Sequence, residues 1–99
     1  MKASLLFHEK KLISHKKSNK FAIVELKVWQ IPKDIHYPEG LKYSLYLVHD
    51  GNIIVGFDNH KPKGHHLHIH SKEEKYIFKT YEKLLDDFWD LVKKKGYSI

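Results

Sequence analysis

The chain has 99 residues, of which 41% are hydrophobic and 13% aromatic, and it carries a formal net charge of +6. A chain of this length predicts one domain, spanning residues 1–99, with one modest core, and it excludes a deep cavity for a large cofactor. The sequence contains no cysteine, which excludes disulfide bonds and thiolate zinc sites. We therefore predict a single small domain that works without a bound cofactor.

The positive charge comes from a single residue type, because all 18 basic side chains are lysines. Two interpretations stay open: a polyanionic partner such as nucleic acid, or a solvated lysine-rich surface. Lysine contacts phosphate as a point charge and lacks the planar, bidentate contact with which arginine reads guanine. If the partner is nucleic acid, we therefore expect contact with its backbone rather than base readout of a duplex.

The first third of the chain has the pattern of strands. The apolar run at residues 5–7 is too short for a signal peptide or a membrane span, so we expect a cytoplasmic protein with no membrane partner. Residues 3–13 indicate one irregular strand or two short ones. Residues 21–31 alternate with apolar side chains on both faces, which predicts a central strand.

A hairpin is predicted in the middle of the chain. Two prolines and a glycine make residues 32–40 a loop. Strands are predicted over residues 42–48 and 52–57, and the intervening Asp50-Gly51 is typical of a tight two-residue turn. A further short strand is predicted over residues 75–78.

The C-terminal part predicts one amphipathic helix. Thr80 is a candidate N-cap and Gly96 a candidate stop. Trp29 and Trp89 are expected in the core rather than as platforms for bases. We predict an α+β fold in which an antiparallel sheet of four to five strands carries one C-terminal helix packed on a face. The apolar stripe of that helix consists of Tyr81, Leu84, Leu85, Phe88, Leu91 and Val92.

The segment from Asp58 to His70 is the candidate for chemistry. Histidine exchanges protons near neutral pH, and lysine can stabilise a phosphate. The segment therefore has the groups that acid–base chemistry on a phosphodiester requires. Of the nine histidines in the chain, five fall here: His60, His65, His66, His68 and His70.

Three interpretations of this segment compete. The first is catalytic, because two histidines and a lysine can cleave RNA without a metal. The second is a zinc site, because in an extended segment His66, His68 and His70 point to the same side. The third is a polar surface in which the histidines have no function.

Several short motifs together resemble one family, the TumE toxins of bacterial and archaeal toxin–antitoxin pairs. Two departures from the family pattern concern the site: His65 stands where members often carry Asp, and Leu67 stands where they often carry a basic residue. The motifs that carry the resemblance are Val28-Trp29-Gln30-Ile31-Pro32, Lys42-Tyr43-Ser44-Leu45, Gly56-Phe57-Asp58-Asn59, Lys63-Gly64-His65-His66-Leu67-His68, Glu74-Lys75-Tyr76-Ile77-Phe78 and Leu84-Leu85-Asp86-Asp87-Phe88.

The resemblance implies a protein that inhibits growth and is neutralised by a cognate antitoxin protein. Combined with the histidine cluster, it leads us to predict a metal-independent ribonuclease. His66 and His68 would act as general base and general acid, in an order that the sequence leaves open. Lys63 would stabilise the phosphate, and Asp58 would orient an imidazole. The candidates for substrate binding are Asn59, His65, Lys61 and His70.

Two other functions remain open at this point. A non-catalytic module that binds nucleic acid would inhibit by occupancy, and a zinc-binding module would use the histidines as ligands. A subunit that only pairs with a neighbouring protein, and a homodimer, also remain open.

Overall fold

The computed structural model describes residues 3–18 and 20–98. These residues form seven strands and one helix. In chain order the elements are β1 (Ser4–His15), β2 (Phe21–Gln30), β3 (Leu41–His49), β4 (Asn52–Asp58), β5 (His66–Ile69), β6 (Lys72–Lys75), α1 (Tyr81–Lys94) and β7 (Tyr97–Ser98).

The seven strands of the described residues form a single antiparallel sheet in the order β6-β5-β4-β3-β2-β1-β7, curled into a half-barrel. The α+β architecture with one C-terminal helix is confirmed, but the prediction of four to five strands was wrong. The reason lies in the two edge strands. β6 consists of four exposed charged residues, and β7 has only two residues, so neither shows the alternation of polar and apolar residues that reveals a strand.

The core lies between the helix and one face of the sheet. Because side chains alternate along a strand, the even-numbered residues of β2 from Ala22 to Val28 point to this face. Burial of each large apolar side chain contributes roughly 1.5–3 kcal/mol. The buried helix residues that pack here are Leu84, Phe88 and Val92, against sheet residues that include Leu26, Leu45, Leu47, Val55 and Phe57.

The predicted helix ends and hairpin turn are as expected. The Thr80 hydroxyl accepts a hydrogen bond from the Lys83 N–H at 3.0 Å, which caps the first turn of α1. Asp50 and Gly51 both have positive φ, 51° and 75°, as the two-residue turn between β3 and β4 requires.

The opposite side of the sheet, called here the open face, carries no helix within residues 3–18 and 20–98. Trp29, expected in the core, lies half-buried on this face. One line of paired residues crosses the open face and is called the histidine row. It consists of Lys27, Ser44, Asp58, His66 and Lys75.

None of the helical segments in the described part of the chain has the length and apolar character needed to cross a membrane.

Candidate functional site

Strand pairing brings three of the predicted site residues together on the open face. Asp58 ends β4 and is the pairing partner of His66 in β5. His68 follows two residues later in β5 and therefore projects from the same side. The two-residue spacing of the histidines predicted that they share a face. The pairing of β4 with β5 places the Asp58 carboxylate beside them.

Asp58 is the centre of the cluster and is only 3% exposed. Its Oδ1 lies 2.8 Å from His66 Nε2 and accepts a hydrogen bond from the His60 N–H at 3.3 Å. Its Oδ2 accepts a hydrogen bond from the Tyr46 hydroxyl. A buried carboxylate requires such donors and a nearby cation, and here the surrounding groups supply them.

His66 is the candidate cation. Its Nδ1 lies 2.8 Å from the carbonyl oxygen of Gly64, so Nδ1 carries a proton and donates. Its Nε2 faces the Asp58 carboxylate, which also only accepts when ionised. The ring of His66 therefore lies between two acceptors, the Gly64 carbonyl and the Asp58 carboxylate.

His68 has a different environment. Its side chain is 22% exposed, against 9% for that of His66. Its Nε2 is 3.5 Å from Asp58 Oδ2 and its Nδ1 is 3.7 Å from Glu73 Oε2, both longer than a good hydrogen bond. One ring nitrogen is therefore available to accept a proton, and two carboxylates stand close enough to stabilise the resulting charge.

Tyr46 belongs to the cluster and was missed by the sequence analysis. Burial, together with the hydrogen bond to Asp58, raises the pKa of Tyr46, so its hydroxyl remains a donor at neutral pH. The ring lies against Gly56, where an added Cβ would come within 2.5 Å of Tyr46 Cε1. A glycine in the middle of a strand marks such a close approach, and this was the signal available in the sequence.

Lys63 lies at the edge of the cluster. Its Nζ is 2.8 Å from Glu73 Oε1, and Glu73 also lies 3.9 Å from His66 Nε2. The hydrogen bond between them raises the pKa of Lys63 and lowers the pKa of Glu73. Glu73 was also missed, because a charged edge strand resembles an ordinary solvated segment.

Two of the predicted substrate-binding residues have structural partners. Asn59 is 1% exposed; its Oδ1 accepts from the Tyr43 N–H at 2.9 Å, and its Nδ2 donates to the Leu41 carbonyl at 2.8 Å. These bonds fix the start of β3. His65 stacks on Phe78 at 4.8 Å between ring centroids, and its Nδ1 is 2.8 Å from the Tyr43 hydroxyl.

The other two predicted substrate-binding residues lie outside the cluster. His70 is exposed in the turn between β5 and β6, where its φ is 54°. Lys61 is exposed in the loop after β4 and lines a separate groove. The structure thus gathers Asp58, His66 and His68, with Lys63 beside them.

The same three residues have the donor atoms of a metal site. One ligand atom each from Asp58, His66 and His68 lies within 4.8 Å of the other two. The hydrogen bond from His66 Nδ1 to a backbone carbonyl is the orientation that metal-binding histidines usually have. This set differs from the predicted His66, His68 and His70, because the turn carries His70 out of the strand and Asp58 takes its place.

Comparison with known protein families places the chain among the toxins. A family model described as Toxin TumE matches residues 4–95. The chain belongs to the TumE family, and membership implies a cognate antitoxin. No curated protein and no solved structure matches the chain.

Proposed function

We propose that this TumE-family toxin is a metal-independent endoribonuclease that acts on RNA in the cytoplasm. One observation carries the proposal. The Nε2 atoms of His66 and His68 both approach the buried carboxylate of Asp58, at 2.8 and 3.5 Å, and His66 makes the closer contact. A proton donor and a proton acceptor therefore stand side by side.

The reaction that suits this pair is transesterification within RNA. His68 takes the proton of a ribose 2′-hydroxyl, whose oxygen then attacks the adjacent phosphorus. The bond from phosphorus to the 5′-oxygen breaks, and His66 delivers its Nε2 proton to that oxygen. The products are a 2′,3′-cyclic phosphate and a free 5′-hydroxyl, and each group of this kind contributes about 10²–10⁴ in rate.

Lysines flank the pair and supply the charge that a phosphate needs. Lys63 is paired with Glu73 beside His66 and would have to exchange that carboxylate for the phosphate, and Lys27 and Lys75 stand at the two ends of the histidine row. Lysine neutralises phosphate without selecting a base, so this arrangement fits backbone contact. The lysines of the site also offer an antitoxin with acidic groups a place to bind and block access.

The test compares cleavage of an end-labelled RNA by four proteins in excess EDTA. We expect wild type to cleave, and His68→Ala and His66→Ala to lose about 10²–10⁴ of the rate. His70→Asn is the matched control, because it removes a neighbouring histidine and tolerates the positive φ. It should cleave as wild type does.

The alternatives predict different outcomes in the same experiment. Intact RNA with undiminished, salt-sensitive binding would refute catalysis and support inhibition by occupancy. Since His66 is buried, each variant is first checked by thermal unfolding. A folded His68→Ala protein with full activity would refute the assignment of the base.

A zinc-binding module is the second candidate, because the three donor atoms of Asp58, His66 and His68 already converge. It predicts that EDTA abolishes activity and lowers the melting temperature, and that zinc restores both. It also predicts that Asp58→Asn weakens zinc binding while His70→Asn leaves it unchanged.

A further inference from the structure

A second groove lies on the open face beside the histidine row. It has a volume of about 450 Å³ and is called here the indole groove. Trp29 and Lys42 are cross-strand partners within it, and Lys61 enters from the loop after β4. The lining residues are Ala3, Trp29, Ile31, Asp34, Tyr37, Lys42 and Lys61.

The indole ring of Trp29 lies on the open face, away from the core. It is half-buried, and it is not among the aromatics that pack on the core, whereas Trp89 is. The core therefore does not explain its position. A partly exposed indole beside two lysines combines a stacking surface with positive charge.

The charge of the groove is positive where a ligand would enter. Lys42 and Lys61 oppose one carboxylate, that of Asp34. That carboxylate is held in the turn, because its Oδ1 accepts the N–H groups of His36 and Tyr37 at 2.8 and 3.0 Å, and its single charge offsets only one of the two lysines. The lysines remain to bind an anion, and the Lys61 backbone is held by its N–H bond to the Tyr37 hydroxyl at 3.3 Å.

The groove lies on the same face of the sheet as the candidate catalytic cluster. Lys42 and Ser44 are successive open-face residues of β3, and Ser44 pairs with Asp58. His66 lies two strands across from Ser44 and one open-face position along from Lys42, so about 7 Å along the strand and about 10 Å across the sheet put Lys42 roughly 12 Å from His66. A single strand with one nucleotide in the groove would therefore bring a phosphodiester to His66 only by continuing across the sheet.

We infer that the indole groove is a nucleotide subsite for single-stranded RNA. The base stacks on Trp29 and the phosphate is held by Lys42 and Lys61. The inference rests on the proposed function for its choice of RNA. It requires an unpaired base, because the bases of a duplex already stack on one another, and stacking on an aromatic ring accepts any base.

The test uses the fluorescence of Trp29 in a Trp89→Phe protein, where it is the sole indole. The probe is a 2′-O-methyl oligonucleotide, which lacks the attacking hydroxyl and stays intact. We expect saturable quenching by the single strand, and little by the matched duplex.

Variants then assign the contacts, with binding followed by anisotropy of the labelled oligonucleotide. Trp29→Ala should weaken binding about 5- to 150-fold, and Trp29→Phe should retain most of it, because phenylalanine still stacks. The double variant Lys42→Gln with Lys61→Gln should make the negative slope of log affinity against log salt shallower by about 1.4. The matched control, Lys16→Gln with Lys17→Gln, removes the same charge from the exposed β1–β2 turn and should leave the slope unchanged.

The outcomes separate this inference from the proposed function. Quenching and stacking-dependent affinity without any cleavage would support the subsite and refute the ribonuclease. Cleavage with unchanged affinity in Trp29→Ala would support the ribonuclease and overturn the subsite. Quenching by a purified antitoxin but not by RNA would also overturn it, because the groove would then be a protein-binding surface.

Discussion

Replacement of Gly56 by alanine should disturb the site through Tyr46. The new Cβ would lie 2.5 Å from Tyr46 Cε1 and 2.7 Å from Cδ1, closer than real Cβ contacts come. The ring cannot retreat freely, because its hydroxyl is bonded to the buried carboxylate of Asp58. Displacing it costs about 1–3 kcal/mol for overpacking, and the lost bond to a charged acceptor costs about 1.5–3 kcal/mol.

The reasoning is tested with a double-mutant cycle. Urea unfolding at neutral pH should show Gly56→Ala losing about 2.5–6 kcal/mol of unfolding free energy in the wild-type background. In a Tyr46→Ala background the clash disappears, and the same change should be neutral or stabilise by about 0.4–1 kcal/mol. Equal losses in the two backgrounds would refute the account, because the cost would then not come from the tyrosine ring.

Two further predictions concern stability. Burial raises the pKa of Tyr43, Tyr46 and Tyr76. The folded protein therefore keeps phenol protons that the unfolded chain loses near pH 10. The unfolding free energy should be unaffected by these groups below about pH 10 and should decline as the pH rises further. Urea midpoints across this range should show the decline, and Tyr46→Phe should reduce it; an equally steep decline in that variant would contradict the assignment. Asn59→Ala should cost about 2–4 kcal/mol in urea unfolding, because it leaves the Tyr43 N–H and the Leu41 carbonyl without partners, and a loss below about 1 kcal/mol would show that water replaces the amide.

Much of the fold could be predicted because local chemistry determines it. Asp50-Gly51 fixes the hairpin turn, and Thr80 and Gly96 mark the ends of the helical region. The edge strands could not be predicted in the same way. β6 forms because β5 offers unpaired backbone groups, and β7 because the chain returns beside His15 after the helix.

The site was predictable only as far as one strand determines it. The two-residue spacing of His66 and His68 gives them a common face, and alternation alone directs His65 away from it. The contribution of Tyr46 depends on how β3 pairs with β4, and that register is shifted by an irregularity between Leu47 and Val48. Cross-strand partners of this kind cannot be inferred without the register.

The charged edge strand β6 has a consequence for how the molecule meets other molecules. An uncovered strand edge is a template on which another chain can add a strand, and exposed charges oppose such growth. Lys72–Lys75 presents four exposed charged residues at this edge and so separates β5, which carries both histidines, from the sheet margin. The charges of β6 therefore oppose strand addition at this edge, and we expect a partner of the histidines to approach across the sheet surface rather than extend the sheet beyond β6.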